Sequence, residues 1–264
     1  MIKALFFDID GTLVSFRDHA VPVSTRRALE QLRQRGVKLF IASGRHPSDI
    51  FPVCDFPFDG YVALNGGYCL AGRDEVVFRR AIPEEDVERL IRWQQGPDAF
   101  ACVLAGEHEM CLNFVDERVE RIRKLVRTSQ PARLVSAEEW SEAARRGVLQ
   151  LIAFFSPEEE PRLMREVLPG CRPMRWNPLF ADVVPAGVDK AEGIDRLLAR
   201  FGIGLDETMA FGDGGNDIPM LRHVGTGVAM GNADGAVKAE ADYVTTSVDE
   251  EGIARALRHF GLID

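Results

Sequence analysis

Asp8 and Asp10 stand one residue apart at the end of the apolar run Ala4-Leu5-Phe6-Phe7, with Ile9 between them and Gly11-Thr12 behind. Alternate residues of a strand lean to the same side, so both carboxylates are expected to face one way where the strand gives out into a loop. Two carboxylates so placed repel each other and lose hydration unless a cation or a proton compensates. An uninterrupted apolar run reads as a buried strand of a parallel sheet, and open α/β sheets bind ligands just beyond the carboxyl ends of such strands. Position and chemistry agree on a metal-assisted site. Aspartate and glycine after a strand are also ordinary turn formers, so the segment by itself does not separate the two readings.

Other loop ends supply complementary parts. Val37 to Ala42 runs into Ser43-Gly44-Arg45, Tyr61 to Leu64 into Asn65-Gly66-Gly67, and Thr208 to Phe211 into Gly212-Asp213-Gly214-Gly215-Asn216-Asp217. Asp8, Asp10 and Asp213 make an oxygen-rich environment suited to Mg²⁺, and the lack of paired His or Cys nearby counts against zinc, copper or iron. Ser43 and the Gly44 N–H are donors for phosphoryl oxygens at a strand-to-helix turn, and Lys190 opens a helix with a compact positive charge. For Arg45, substrate contact and a local ion pair both stay open. Gly212-x-Gly214 is no dinucleotide fingerprint, because Asp217 stands where glycine or alanine belongs and would repel pyrophosphate. His46, His108, His223 and His259 lack catalytic spacing and read as surface or partly packed residues.

At 264 residues with a formal net charge of −9, the chain has room for one large or two modest domains and lacks the basic footprint that nucleic acid requires. No stretch reaches the ~18 consecutive apolar residues of a membrane helix, and a strand-like segment begins at once with no signal-peptide cleavage site after it. A cytoplasmic protein without membrane or nucleic-acid partners is expected. The five cysteines (Cys54, Cys69, Cys102, Cys111, Cys171) are odd in number and scattered, which argues for small core residues in a reducing compartment.

Positioning these loop ends requires alternating strands and helices. Ser24 is the expected N-cap of a helix carrying Ala28, Leu29 and Leu32 inward. In the middle of the chain, Pro83 opens a helix with Val87, Leu90 and Ile91 on one face, and a second helix covers about 117 to 127 with Val119, Ile122 and Val126 inward. Ser136 and Glu139 have capping-box spacing, Val148 to Phe155 is an apolar strand, and 161 to 167 is helical. Short strands at 173–176 and 179–184 close the region, after which α/β alternation resumes with a helix at 190–201. The expected fold is α/β: a doubly wound, mostly parallel sheet core from residues 1–81 and 185–264, with an α+β cap inserted at 82–184. Ile82-Pro83 and Val184 to Val188 are the expected hinge.

Asp8-Ile9-Asp10-Gly11-Thr12, Ser43-Gly44-Arg45, Lys190 and Gly212-Asp213-Gly214-Gly215-Asn216-Asp217 resemble, in order and spacing, the four motifs of the haloacid-dehalogenase-like (HAD) phosphatases. The large insertion and Asn65-Gly66-Gly67 resemble the Cof-type branch, which carries an α/β cap there. The resemblance implies that Asp8 attacks phosphorus to form an aspartyl-phosphate, and that Asp10 protonates the leaving alkoxide and then takes a proton from water. It implies Mg²⁺ held by Asp8, the Asp10 carbonyl and Asp213. Ser43, Gly44, Lys190 and Asn216 would bind phosphoryl oxygens, with Thr12 and Asp217 supporting them from behind. A carboxylate at position 10 suits alkoxide expulsion, which needs a proton, rather than halide expulsion, which does not. Arg45, Asn65, Trp176, Asn177 and Phe180 are the residues put forward for contacting the leaving group. The expected activity is hydrolysis of small phosphorylated metabolites, with sugar phosphates foremost. A sugar phosphomutase, with Arg172 and Arg175 holding a second phosphate, and a silent phosphosugar-binding protein are the rivals. Oligomeric state stays open, a monomer being compatible with everything above.

Overall fold

The computed structural model describes residues 1–125 and 131–264. Its strands are, in chain order, β1 (Ala4–Phe7), β2 (Lys38–Ala42), β3 (Gly60–Ala63), β4 (Tyr68–Ala71), β5 (Glu75–Arg79), β6 (Cys102–Ala105), β7 (Met110–Leu112), β8 (Arg133–Leu134), β9 (Gln150–Ala153), β10 (Cys171–Asn177), β11 (Phe180–Pro185), β12 (Thr208–Gly212), β13 (Thr226–Ala229) and β14 (Tyr243–Val244). They form an eight-stranded sheet of order β14-β13-β12-β1-β2-β3-β4-β5 and a six-stranded sheet of order β10-β11-β9-β6-β7-β8. The chain divides into two compact units, one of Met1–Arg45, Val53–Phe78 and Asp189–Asp264, the other of His46–Pro52 and Arg79–Val188.

In the first unit β1 lies at the centre, parallel to β12 on one side and to β2 on the other. The chain builds outward through β2 and β3, then returns to build the opposite side from β12, so the strand order reverses at β1. That switch point brings the carboxyl ends of β1, β2 and β12 together, which is where α/β sheets hold ligands. All four residues of β1 are fully buried, because helices cover both faces, and this is why the strand is apolar without alternation. Phe6 stacks on Phe40 and Phe7 on Phe211, with ring centroids 4.8 and 5.3 Å apart, tying β1 to both neighbours. The antiparallel pairing of β3 with β4 extends the sheet beyond its parallel part.

The second unit packs helices Glu84–Trp93, Ala137–Arg145 and Glu160–Glu166 on its own sheet. Val87, Leu90, Ile91, Trp140 and Leu163 join Cys102, Leu104, Leu151 and Ala181 in one apolar cluster. Trp140 is held in register by its indole N–H, which donates to the Cys102 carbonyl at 3.2 Å. The Ser136–Glu139 capping box forms as expected, the serine accepting from the Glu139 N–H and the glutamate from the Ser136 N–H, each at 3.2 Å.

Several expectations need correction. The helix expected to start behind Ser24 spans Val23–Gln34 with Pro22 at the N-cap; the proline's fixed φ starts the turn without a side-chain cap. Pro83 likewise caps its helix from outside. The 117–127 helix is described as Glu117–Leu125, with Val119 and Ile122 inward, while Val126 and Arg127 lie outside the described residues. His46 is buried, and its burial lowers its pKa against the opposing pull of the Gly106 and Glu107 carbonyls. With His46–Pro52, it belongs to the second compact unit although its sequence position falls within 1–81. The five cysteines are unpaired, and burial pushes the Cys54 and Cys69 thiols up to about 12, leaving them inert core residues. Among the described residues no helix is long and apolar enough to cross a membrane.

Candidate active site

Asp8 follows β1 directly, its N–H donating to the Phe211 carbonyl at 3.0 Å. The chain then turns sharply: Val14 N–H donates to the Ile9 carbonyl at 2.8 Å and Gly11 N–H to the Val14 carbonyl at 2.9 Å. None of these bonds uses the Asp10 carbonyl. Gly11 is required here, since its φ is +85° and a Cβ would lie 2.2 Å from Asp213 Oδ2. The turn at the end of β1 and the loop after β12 are therefore in contact at the one position without a side chain.

Lys190 lies at the start of helix Lys190–Phe201, whose N-cap Asp189 accepts from the Glu192 N–H at 3.0 Å. Its side chain is fully buried, and its ammonium donates to Asp8 Oδ1 at 2.7 Å and to Asp217 Oδ1 at 2.5 Å. Asp217 Oδ2 accepts the N–H groups of Asp213 and Gly214, each at 2.9 Å, which closes the 212–217 loop on itself. Both oxygens of Asp217 are thus engaged, and its place is behind Lys190 and the loop.

Asp8, Asp213 and Asp217 offer carboxylate oxygens all within 4.8 Å of one another. One ammonium faces these three carboxylates, so negative charge is left over. Burial raises Asp8 well above the ordinary carboxylate range, the nearby Lys190 charge opposing and Asp217, Asp213 and Asp10 adding to it. Burial is also the main cause for Asp213, pushed up to about 7, followed by the charge of Asp217, with the Thr12 hydrogen bond opposing. For Lys190 burial acts downward, but Asp217 and Asp8 outweigh it and the pKa is raised. An all-oxygen donor set with surplus negative charge, near the Asp10 carbonyl that accepts no backbone hydrogen bond among the described residues, fits a hard divalent cation such as Mg²⁺.

The titration of Asp213 carries a testable sign. A carboxylate whose folded pKa is raised from 3.8 to about 7 leaves stability intact while it is protonated in both states. Stability is then lost progressively as pH rises through that window, because the folded state holds the proton more tightly. A bound divalent cation removes the loss. Thermal melting with and without Mg²⁺ should therefore show a larger Mg²⁺-induced stabilisation at pH 8 than at pH 5; an equal or smaller shift at pH 8 would contradict the assignment.

The remaining expected residues divide sharply. Arg45 forms a bidentate ion pair with Asp10, Nε to Oδ2 and Nη2 to Oδ1, both at 2.7 Å, which is one of the two alternatives left open for it. Ser43 is buried at the end of β2, and its Oγ accepts from the Arg45 N–H at 3.2 Å. Asn65, put forward for substrate contact, is fully buried with φ +52°, and its Oδ1 accepts from Asn216 Nδ2 at 3.0 Å. Its N–H donates to the Ser43 carbonyl at 3.0 Å, while a Cβ on the adjacent Gly66 would lie 1.9 Å from the Asp189 carbonyl oxygen. This short turn touches three of the loops at once, and within it Asn65 supports the Asn216 side chain.

In the second unit Phe180 packs against Phe154 with ring centroids 5.9 Å apart, and Asn177 Oδ1 accepts from the Leu179 N–H at 3.0 Å to shape the β10–β11 turn. Both contribute to holding their hairpin together. The Trp176 side chain lies outside the described residues. Arg175 is spent on Glu160 and on the carbonyls of Phe155, Asn177, Pro178 and Phe180. Arg172 donates to the Val188 carbonyl at 3.0 Å. Missed from sequence was Asn232, whose Nδ2 donates to the Gly11 carbonyl at 2.9 Å and to Asp213 Oδ2 at 3.0 Å. It sits in Met230-Gly231-Asn232-Ala233, a turn after an apolar strand, which was the available signal.

The family profile described as haloacid dehalogenase-like hydrolase matches residues 5–257. The chain is 36% identical, over 99% of its length and 98% of the relative's, to YkrA of Bacillus subtilis (strain 168), a protein named provisionally as a phosphatase. A solved structure reported on a trigonal-bipyramidal intermediate in a phosphoryl-transfer superfamily superimposes with a TM-score of 0.90 at 43% identity, covering 100% of both chains. The HAD subclass IIB sugar phosphatase BT4131 superimposes with a TM-score of 0.88 at 42% identity, covering 99% of this chain and 100% of its own.

Proposed function

This chain belongs to the haloacid dehalogenase-like hydrolases and is a phosphatase of that family, and from that premise we propose that it hydrolyses small phosphorylated metabolites, sugar phosphates foremost, through an aspartyl-phosphate with Mg²⁺ as cofactor. The observation that carries this reading is the buried Lys190 ammonium shared by Asp8 and Asp217 beside Asp213. A carboxylate nucleophile needs a positive neighbour to approach an anionic phosphoryl group, and this arrangement supplies one at 2.7 Å from the attacking side chain.

Asp8 attacks phosphorus in line; the bond from its carboxylate oxygen to phosphorus forms as the bond to the leaving oxygen breaks. Asp10 gives that oxygen a proton, then takes one from the water that displaces Asp8 from phosphorus. Arg45 contacts both Asp10 oxygens and leaves each a further lone pair for a proton. Lys190, Ser43, the Gly44 N–H and Asn216 hold phosphoryl oxygens. Asp8, Asp213 and the Asp10 carbonyl would hold Mg²⁺, which offsets repulsion between nucleophile and phosphoryl group when bound. Residues 82–184 form the cap that selects the leaving group. The sugar phosphatase among the structural relatives supports the substrate class. The commitment of Arg175 to its own hairpin favours hydrolysis over a phosphomutase with a second phosphate site.

A leaving-group series tests the proton-transfer role. Asp10→Asn should lower kcat/KM for sugar phosphates by roughly 10²- to 10⁴-fold. It should lower kcat/KM far less for p-nitrophenyl phosphate, whose leaving group departs without a proton. Equal losses on both substrates would remove Asp10 from the leaving-group step. A phosphate-release screen over sugar, polyol, nucleotide and cofactor phosphates with Mg²⁺ identifies the substrate class.

A further inference from the structure

We propose that Asn232 is a positioning residue that holds the Asp213 carboxylate ready for a divalent cation, an inference that rests on the reading of Asp213 as a metal ligand. The four acidic side chains at the site differ in what compensates them. Asp8 and Asp217 share the Lys190 ammonium, and Asp10 is paired with Arg45. Asp213 receives neutral donors instead, Thr12 Oγ1 on Oδ1 at 2.8 Å and Asn232 Nδ2 on Oδ2 at 3.0 Å, and among the described residues no salt bridge reaches it. Neutral donors fix the plane of a carboxylate, whose terminal torsion is otherwise broad, while leaving its charge to attract a cation.

The orientation of the Asn232 amide follows from its neighbours. Its Oδ1 accepts the Val248 N–H at 3.0 Å, while its Nδ2 faces two oxygens, the Gly11 carbonyl at 2.9 Å and Asp213 Oδ2. A flipped amide would set its oxygen against both oxygens and its NH₂ against an N–H, so one orientation is selected. The amide nitrogen thereby couples the turn after β1 to the loop after β12. Its anchor at Val248 belongs to the 247–250 turn, which is tied to the first loop again by Ser15 Oγ donating to Asp249 Oδ1 at 2.7 Å. Sequence separation of more than two hundred residues is bridged by one side chain.

Mg²⁺ affinity, measured without substrate by calorimetry or by the Mg²⁺ dependence of the melting temperature, is the readout. Asn232→Ala should raise the Mg²⁺ Kd by about five- to twentyfold, the worth of one hydrogen bond to a charged acceptor at an accessible site. KM for p-nitrophenyl phosphate at saturating Mg²⁺ should stay near that of the wild type. Val248→Pro removes the N–H that orients the amide, together with a buried valine side chain, at the first position of its turn where proline is tolerated, and should shift the Kd in the same direction by a smaller factor. Asp213→Asn is the control for the underlying reading. If it abolishes Mg²⁺ binding while Asn232→Ala stays within twofold of the wild type, the positioning role is overturned and Asp213 remains a ligand. If Asp213→Asn binds Mg²⁺ as the wild type does, the ligand reading itself fails. A raised KM with unchanged Mg²⁺ affinity in Asn232→Ala also overturns the proposal, making Asn232 a substrate contact.

Discussion

Asp8→Asn should abolish turnover, lowering kcat by on the order of 10⁴-fold or more, while leaving the fold as stable as before. The asparagine keeps the shape of the side chain and an oxygen that can accept from Lys190, which sits 2.7 Å from Asp8 Oδ1. What it loses is the nucleophilic carboxylate. It also loses a charge that the site tolerates poorly, since burial raises the Asp8 pKa well above the usual range. Metal-free Asp8→Asn should accordingly melt at or above the wild-type temperature. Loss of activity with retained stability separates a chemical role from a structural one. Steady-state assays on p-nitrophenyl phosphate with Mg²⁺, together with thermal melting, decide the matter: wild-type turnover in the variant would rule out Asp8 as nucleophile.

Lys190→Met should behave in the opposite way, losing both activity and stability. Lys190 is fully buried and holds two buried carboxylates at 2.7 and 2.5 Å. Removing one partner of a buried ion pair leaves uncompensated charge in a poorly solvated site, which costs about 3–5 kcal/mol. The pH dependence follows from the direction of the shift. The Lys190 pKa is raised, so its stabilising contribution is complete below the ordinary value of 10.5 and is lost only as pH climbs through the still higher folded value. Across neutral pH the wild type therefore keeps it whole. In the variant the stranded carboxylates regain neutrality by protonation, so the stability gap to wild type should narrow between pH 8 and pH 5. Denaturant unfolding at both pH values tests this; a gap below about 1 kcal/mol at pH 8 would show that the site relaxes around the missing charge.

These two expectations differ because Asp8 is one of several carboxylates in the cluster, whereas Lys190 is the ammonium that two of them share. Asp8, Lys190 and Asp213 were identifiable in the sequence because each ends a buried strand or opens a helix, positions that a parallel sheet turns toward one edge. The β1 run was legible because burial on both faces removes alternation. The helix at Lys190–Phe201 falls where the renewed α/β alternation placed it. The short strands β4 to β8 were not, since runs such as Ala101 to Ala105 are too brief for periodicity to separate strand from helix or loop. Pro22 displaced Ser24 as the helix start for a local steric reason that residue type alone did not rank.

By itself the sequence determined the fold class, the order of the chemical groups and the family, because these depend on local patterning and on spacing along the chain. Only the tertiary structure decided what each group does to its neighbours. Arg45 became the partner of Asp10, Asn65 the support of Asn216, and Phe180 and Asn177 parts of a hairpin. Asn232 acquired its contact with Asp213 across the sheet edge. Hydrogen bonds and ion pairs reach about 3 Å and depend on angle, so they are set by how the strands are ordered in space. Reversal of strand order at β1 places the turns after β1, β2 and β12 side by side, and with them partners that lie far apart in the chain.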